Sequence, residues 1–116
     1  MDTRKTPRAA AAFKAKLKVD LSVKQYFNIA KRSIDVEIID ISTGGAGLSS
    51  KYFIPKGVNI LLEFMISDQL IKVKGEVRSV NLKGKGLTRL GIKFTDIDEK
   101  DKQVIEKFAE ENRKKE

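Results

Sequence analysis

The stretch Phe13-Lys14-Ala15-Lys16-Leu17-Lys18-Val19-Asp20-Leu21-Ser22-Val23-Lys24 alternates apolar and polar residues without a break. Period two over this length puts every second side chain on one face, so the stretch predicts a strand with one buried face and one wet, cationic face. Residues 25–32 break the pattern and read as a turn, with Tyr26 and Phe27 placed to cap the end of the core. Beyond it, Ile34, Val36 and Ile38 resume period two. The phase then slips, because Ile39 and Ile41 are also apolar. A one-residue slip would turn every later side chain to the wrong face, so a bulge is expected near Ile38 or Ile39.

The rest of the chain has the same grammar. In Ser42-Thr43-Gly44-Gly45-Ala46-Gly47, the three glycines call for positive φ or for close approach of other groups. Leu48 begins a short extended piece, and Pro55-Lys56-Gly57 marks a turn. Val58, Ile60, Leu62, Phe64 and Ile66 alternate, with Leu61 and Met65 on the opposite face, which predicts a strand buried on both sides for part of its length. Ser67-Asp68 reads as a turn. Ile71, Val73, Gly75 and Val77 then alternate with outward Lys72, Lys74, Glu76 and Arg78. After the loop Lys83-Gly84-Lys85-Gly86, Leu90, Ile92 and Phe94 make the last strand. The period then becomes helical. Asp98 suits an N-cap, acids at 99 and 101 suit the first turn, and Val104, Ile105, Phe108 and Ala109 form an apolar stripe on a helix from about 98 to 114. About six short antiparallel strands and one C-terminal helix in a chain this size predict a mainly β fold closed into a small barrel, which removes exposed edges.

Composition narrows the chemistry. The 116 residues suit one domain, and 41% hydrophobic with 34% charged residues is a globular balance. His and Cys are absent. That excludes a Ser/His/Asp triad, a Cys nucleophile, disulfides, and zinc or haem sites built on His or Cys. No paired-carboxylate site or phosphate-binding G-x-x-x-x-G-K-[ST] loop is present, so the chain reads as no enzyme, with no catalytic residue, no metal ligand assigned and no cofactor, and composition leaves open only a Mg²⁺ or Ca²⁺ site made of carboxylates. The longest apolar run, 59–66, is interrupted by Glu63 and is too short to span a bilayer. With no apolar leader, a cytoplasmic location and no membrane insertion are expected.

The net charge of +8 is uneven. Residues 1–32 hold nine Lys or Arg against two Asp, so an anionic partner or a solubilising arm is indicated. Domain organisation follows: a flexible basic arm over residues 1–12, then a single barrel-plus-helix domain over 13–116. Lys14, Lys16 and Lys18 read as a solvated strand face, and Arg78 and Arg89 as surface cover.

Two motifs stand out. Arg4-Lys5-Thr6-Pro7-Arg8 has the spacing R-x-x-x-R, and Asp40-Ile41-Ser42-Thr43-Gly44-Gly45 has the spacing D-x-S-x-x-G, with Arg8 lying 32 positions before Asp40. In this order and spacing, and with a closing strand Gly91-Ile92-Lys93-Phe94-Thr95-Asp96-Ile97 before a helix, the sequence resembles the PilZ domain family over essentially its whole length. The resemblance implies a six-stranded antiparallel PilZ-type β-barrel with a C-terminal α-helix. It also implies a bacterial receptor for cyclic di-GMP (c-di-GMP), acting in motility, biofilm or virulence control. The ligand residues it implies are Arg4, Arg8, Asp40, Ser42 and Gly45, with Lys5, Gly44 and Gly47 beside them. Lys5 and Thr6 depart from the further Arg and the aromatic that the family often carries there.

The chemistry of these residue types suits that ligand. An arginine fork matches the paired N7 and O6 acceptors of guanine and also pairs with phosphate. An ionised Asp40 accepts from guanine N1–H and N2–H₂, Ser42 donates or accepts beside it, and Gly45 admits close backbone approach. Taken alone, Asp40 and Ser42 equally describe an Asx- or Ser-type turn, and Arg4 and Arg8 an ordinary tail. The expected partners are c-di-GMP and a downstream protein that reads the ligand-ordered arm, on a chain that is a monomer or weak dimer. The alternatives are a nucleotide-independent PilZ adaptor, or a small barrel binding single-stranded nucleic acid. Binding of a nucleic acid polymer is disfavoured because Phe13, Phe64, Phe94 and Phe108 fall on predicted buried faces, leaving few platforms for stacking bases.

Overall fold

The computed structural model describes residues 9–19 and 33–113. In chain order these form β1 (Ala9–Val19), β2 (Ile34–Ser42), β3 (Gly45–Ser50), β4 (Asn59–Ile66), β5 (Gln69–Gly84), β6 (Leu87–Ile97) and α1 (Glu99–Arg113). The strands close into an antiparallel barrel in the order β1-β2-β3-β6-β5-β4. β1 starts at Ala9, four residues before the alternation at Phe13, and residues 20–24 of the expected strand lie outside the described residues. So do the 25–32 turn with Tyr26 and Phe27, and the motif residues Arg4, Lys5 and Arg8.

Alternation builds the core. Ala15, Leu17 and Val19 of β1 are buried, as are Ile60, Leu62, Phe64 and Ile66 of β4 and Ile71, Val73 and Val77 of β5. The intervening Lys14, Lys16 and Lys18 are exposed, as the solvated-face reading predicts. β4 differs from expectation: Met65 is 51% exposed and Leu61 half-buried, so this strand is buried on one face only. Its outer face carries Glu63 between Lys16 and Lys72 in the register, a charged row.

β2 carries the bulge. Its register against β3 shifts between Ile38 and Asp40. Ile38 and Ile41 are both fully buried, three residues apart rather than two or four. The extra residue therefore sends Asp40 to the outer surface, whereas unbroken alternation from Ile38 would have turned it inward.

Turns and caps follow their residues. Ser50 is buried, and its hydroxyl donates to Tyr52 O at 3.0 Å and accepts from Tyr52 N–H at 2.9 Å. The chain then crosses one end of the barrel, burying Ile54 and Val58. At α1 the Asp98 carbonyl accepts from Lys102 N–H at 2.9 Å, placing Asp98 at the cap with Glu99 and Asp101 in the first turn. The helix lays Ile105 and Ala109 into the core, with Val104 and Phe108 packed against it. Phe13 joins the pieces: its ring stacks 6.2 Å from Phe64 and lies tilted 4.9 Å from Phe108. No helix among the described residues is long and apolar enough to cross a membrane.

Candidate functional site: a glycine-floored cationic cleft

The Thr43-Gly44 turn joins β2 to β3, with Ser42 opposite Gly45 in the register. Ser42 is buried, and its Oγ accepts the Gly44 N–H at 3.2 Å. This is the Ser-type turn that its sequence context allows, so one acceptor site of the hydroxyl is used to shape the loop. The Gly44 carbonyl accepts from Phe94 N–H at 2.9 Å, tying the turn to β6. Positive φ occurs at Gly57, Gly84 and Gly86, and the glycines of the D-x-S-x-x-G segment are not among them.

Close approach explains Gly47. It pairs with Asp40 on one side and Gly91 on the other, and Gly91 pairs with Ser79. The row Asp40, Gly47, Gly91, Ser79 thus runs across four strands. A Cβ on Gly47 would stand 2.9 Å from Asp40 Oδ2, 3.0 Å from Asp40 Oδ1 and 3.0 Å from Arg89 Nη2. A Cβ on Gly91 would stand 2.3 Å from Ser79 Oγ. The two glycines leave a floor on which polar groups lie flat against the backbone.

Over that floor Arg89 Nη2 donates to Asp40 Oδ2 at 2.7 Å, a charge-assisted bond between residues 49 apart in sequence. The Asp40 side chain is 19% exposed and that of Arg89 41%. Beside the pair lies a cleft of about 450 Å³, lined by Gly44, Gly47, Gly91, Ser79, Asn81 and Ile92 together with Arg78, Lys83, Arg89 and Lys93. Among the described residues that lining holds four cations and no acid; Arg78 Nε lies 3.5 Å from Glu76 Oε1 just outside it. Such a surface favours an anion with flat, hydrogen-bonding parts.

Of the sequence-predicted residues, the structure brings Asp40, Gly44 and Gly47 to this cleft or its rim, buries Ser42 beneath the turn, and puts Gly45 at the start of β3. Arg89 corrects the sequence reading. It is not mere surface cover, because its guanidinium pairs with the motif aspartate. Arg78, likewise read as surface cover, also lines the cleft, as do Ser79, Asn81, Lys83 and Lys93, which the sequence reading misses. The available signal was the outward phase of the closing strand, where Arg89, Gly91 and Lys93 alternate with buried Leu90 and Ile92. No group of three or more His, Cys, Asp or Glu among the described residues forms a metal site.

The sequence profile of the PilZ domain matches residues 2–111. The chain belongs to the PilZ family. A comparison with curated protein sequences finds no match. Among solved structures, the Bacillus subtilis inhibitor of motility MotI/DgrA is similar, with TM-score 0.81 and 14% identity over 100% of this chain and 54% of that one. The PilZ domain of Escherichia coli YcgR with c-di-GMP gives TM-score 0.71 and 14% identity over 98% of this chain and 94% of that one. The K. pneumonia MrkH–c-di-GMP complex gives TM-score 0.71 and 19% identity over 100% of this chain and 57% of that one. At these identities the likeness is one of fold. This PilZ chain spans about half the length of MotI/DgrA and MrkH.

Proposed function

We propose that this PilZ chain is a bacterial c-di-GMP receptor in which Arg4 and Arg8 hold phosphates and guanines while Asp40, Ser42 and Gly45 form the barrel side of the site. The observation that carries the reading is the Asp40–Arg89 pair at the rim of a cleft lined by four cations, at the D-x-S-x-x-G turn. Sequence continuity supports the role of the arm. Arg8 directly precedes Ala9, and Ala9 pairs with Ile41, next to Ser42. Structures with c-di-GMP among the similar folds, YcgR and MrkH, support the ligand class.

On this reading the arm ahead of β1, residues 1–8, closes over the ligand against the barrel, its arginines bridging c-di-GMP to the D-x-S-x-x-G turn, while residues 9–12 of the expected arm already pair in β1. Arm, ligand and barrel together make a new surface for a downstream protein in motility, biofilm or virulence control. The protein acts as a receptor in the cytoplasm, not as an enzyme.

Isothermal titration with c-di-GMP, with GTP and cyclic di-AMP as controls, tests the proposal. Saturable, guanine-selective binding is expected, and Arg8→Ala should weaken it by about 1.5–3 kcal/mol, the range for charge-assisted hydrogen bonds. Absence of binding by the unaltered chain, or unchanged affinity in Arg8→Ala, refutes it. In the former case the chain is a nucleotide-independent adaptor.

A further inference from the structure

The Asp40–Arg89 pair does more than balance charge, an inference that rests on the c-di-GMP reading above. Along its edge guanine presents two donors, N2–H and N1–H, followed by two acceptors, O6 and N7. A carboxylate beside a guanidinium presents the complement: two acceptor oxygens, then a planar fork of N–H donors. Asp40 and Arg89 stand in that relation. Nη2 donates to Oδ2 at 2.7 Å, and Oδ1, Oδ2 and Nη2 all lie within 2.9–3.0 Å of the point where a Cβ of Gly47 would sit. Two acceptors and a donor thus meet over a single glycine.

We propose that Arg89 is a specificity-determining residue of the site: its fork reads O6 and N7 of one guanine of c-di-GMP, while Asp40 receives N1–H and N2–H₂ of the same base. Holding each other exhausts neither group. A carboxylate has about four lone-pair sites and a guanidinium five N–H donors. Arg89 is 41% exposed and lines the cleft, so its fork is accessible from the ligand side. Adenine is rejected by the same pair, because it carries the N6–H₂ donor where guanine carries O6, and donor then meets donor. Lysine at this position would keep the charge for phosphate attraction and lose the fork.

The test is titration of the intact chain and of Arg89→Lys with c-di-GMP, cyclic di-AMP and a c-di-GMP analogue built on 7-deazaguanine, which lacks N7. The unaltered chain should bind c-di-GMP at least about 5-fold tighter than the 7-deaza analogue, the low end for a bidentate base contact. In Arg89→Lys that difference should shrink, because an ammonium donates without the planar fork, and the preference over cyclic di-AMP should fall with it. A merely structural arginine would shift all three ligands together. Arg89→Lys discriminating as well as the unaltered chain overturns the inference. So does c-di-GMP binding by the unaltered chain with no penalty for the 7-deaza analogue, a result that needs no variant to fold. Failure of the unaltered chain to bind c-di-GMP at all overturns the receptor reading, and this inference with it.

Discussion

Gly47→Ala adds only one carbon and two hydrogens, yet the geometry sets them against an ion pair. The position is inside β3 and outside the set of positive-φ glycines, so alanine meets no backbone strain there. On chain entropy alone the substitution should stabilise the fold by about 0.4–1 kcal/mol. The new methyl, however, would stand 2.9 Å from Asp40 Oδ2 and 3.0 Å from both Asp40 Oδ1 and Arg89 Nη2. Both neighbours are ends of side chains, so they can withdraw, and in doing so they are expected to give up their 2.7 Å bond over the strand. Separating them leaves a carboxylate that is 19% exposed without its guanidinium. Losing a hydrogen bond to a charged group costs about 1.5–3 kcal/mol, and the 41% exposure of Arg89 moves the expectation to the lower end. Set against the entropic gain, the net destabilisation should be about 1 kcal/mol. Urea unfolding should show this as a lower midpoint with unchanged slope, since the surface exposed on unfolding stays the same. On the proposed reading, in which this pair faces the base, the affinity for c-di-GMP should fall at least about 10-fold. A cycle with Arg89→Ala isolates the cause. In that background one of the three crowding atoms is gone, and Gly47→Ala should cost measurably less. A neutral or stabilising Gly47→Ala with unchanged affinity would refute the argument that the ion pair lies on this glycine.

Other expectations follow from single contacts. Phe13→Ala should cost about 3 kcal/mol, the low end for a phenylalanine truncation because Phe13 is half-buried; α1 should lose protection first in hydrogen exchange, since Phe13 packs on Phe108. The Asp35 carboxyl, hydrogen-bonded by Lys16 and attracted by its charge, titrates below the usual carboxylate range. Lys16→Met should return it to that range in an NMR titration. In sign, the Lys16–Asp35 contribution to stability is present above the unfolded carboxylate pKa and is lost as pH falls through the lowered value. The difference between Lys16→Met and the unaltered chain should therefore shrink on acidification.

What the sequence announces and what it hides divide along physical lines. Period two and its interruption are local properties, so the strands of the core and the β2 bulge could be read directly, and the bulge is what turns Asp40 outward. The helix was equally plain from Asp98 and the 104-105-108-109 stripe. Pairing between distant strands is not a local property. That β3 lies against β6 rather than β4 follows from the chain crossing the barrel end at Ile54 and Val58, and no dipeptide signals it. Arg89 is adjacent to Asp40 only because of that choice, which is why its outward phase alone suggested nothing but surface. Met65 misled for a different reason. An apolar residue on the outer phase of a strand looks like a second buried face, but Met65 is 51% exposed there.

The β3–β6 pairing also orders events during synthesis. β2 and β3 can form their hairpin once Ser50 has emerged, but the second edge of β3 then waits for β6, which ends at Ile97. At 5–20 residues per second the ribosome takes roughly 2–10 s to supply those intervening residues. For that interval the nascent chain displays an unpaired strand carrying the glycine-rich half of the site, a template for mispairing with neighbouring chains on a polysome. The short length of β3 and its Gly45, Gly47 and two serines make that exposed edge a poor one to extend, so the residues that open the cleft in the finished barrel also protect the unfinished one.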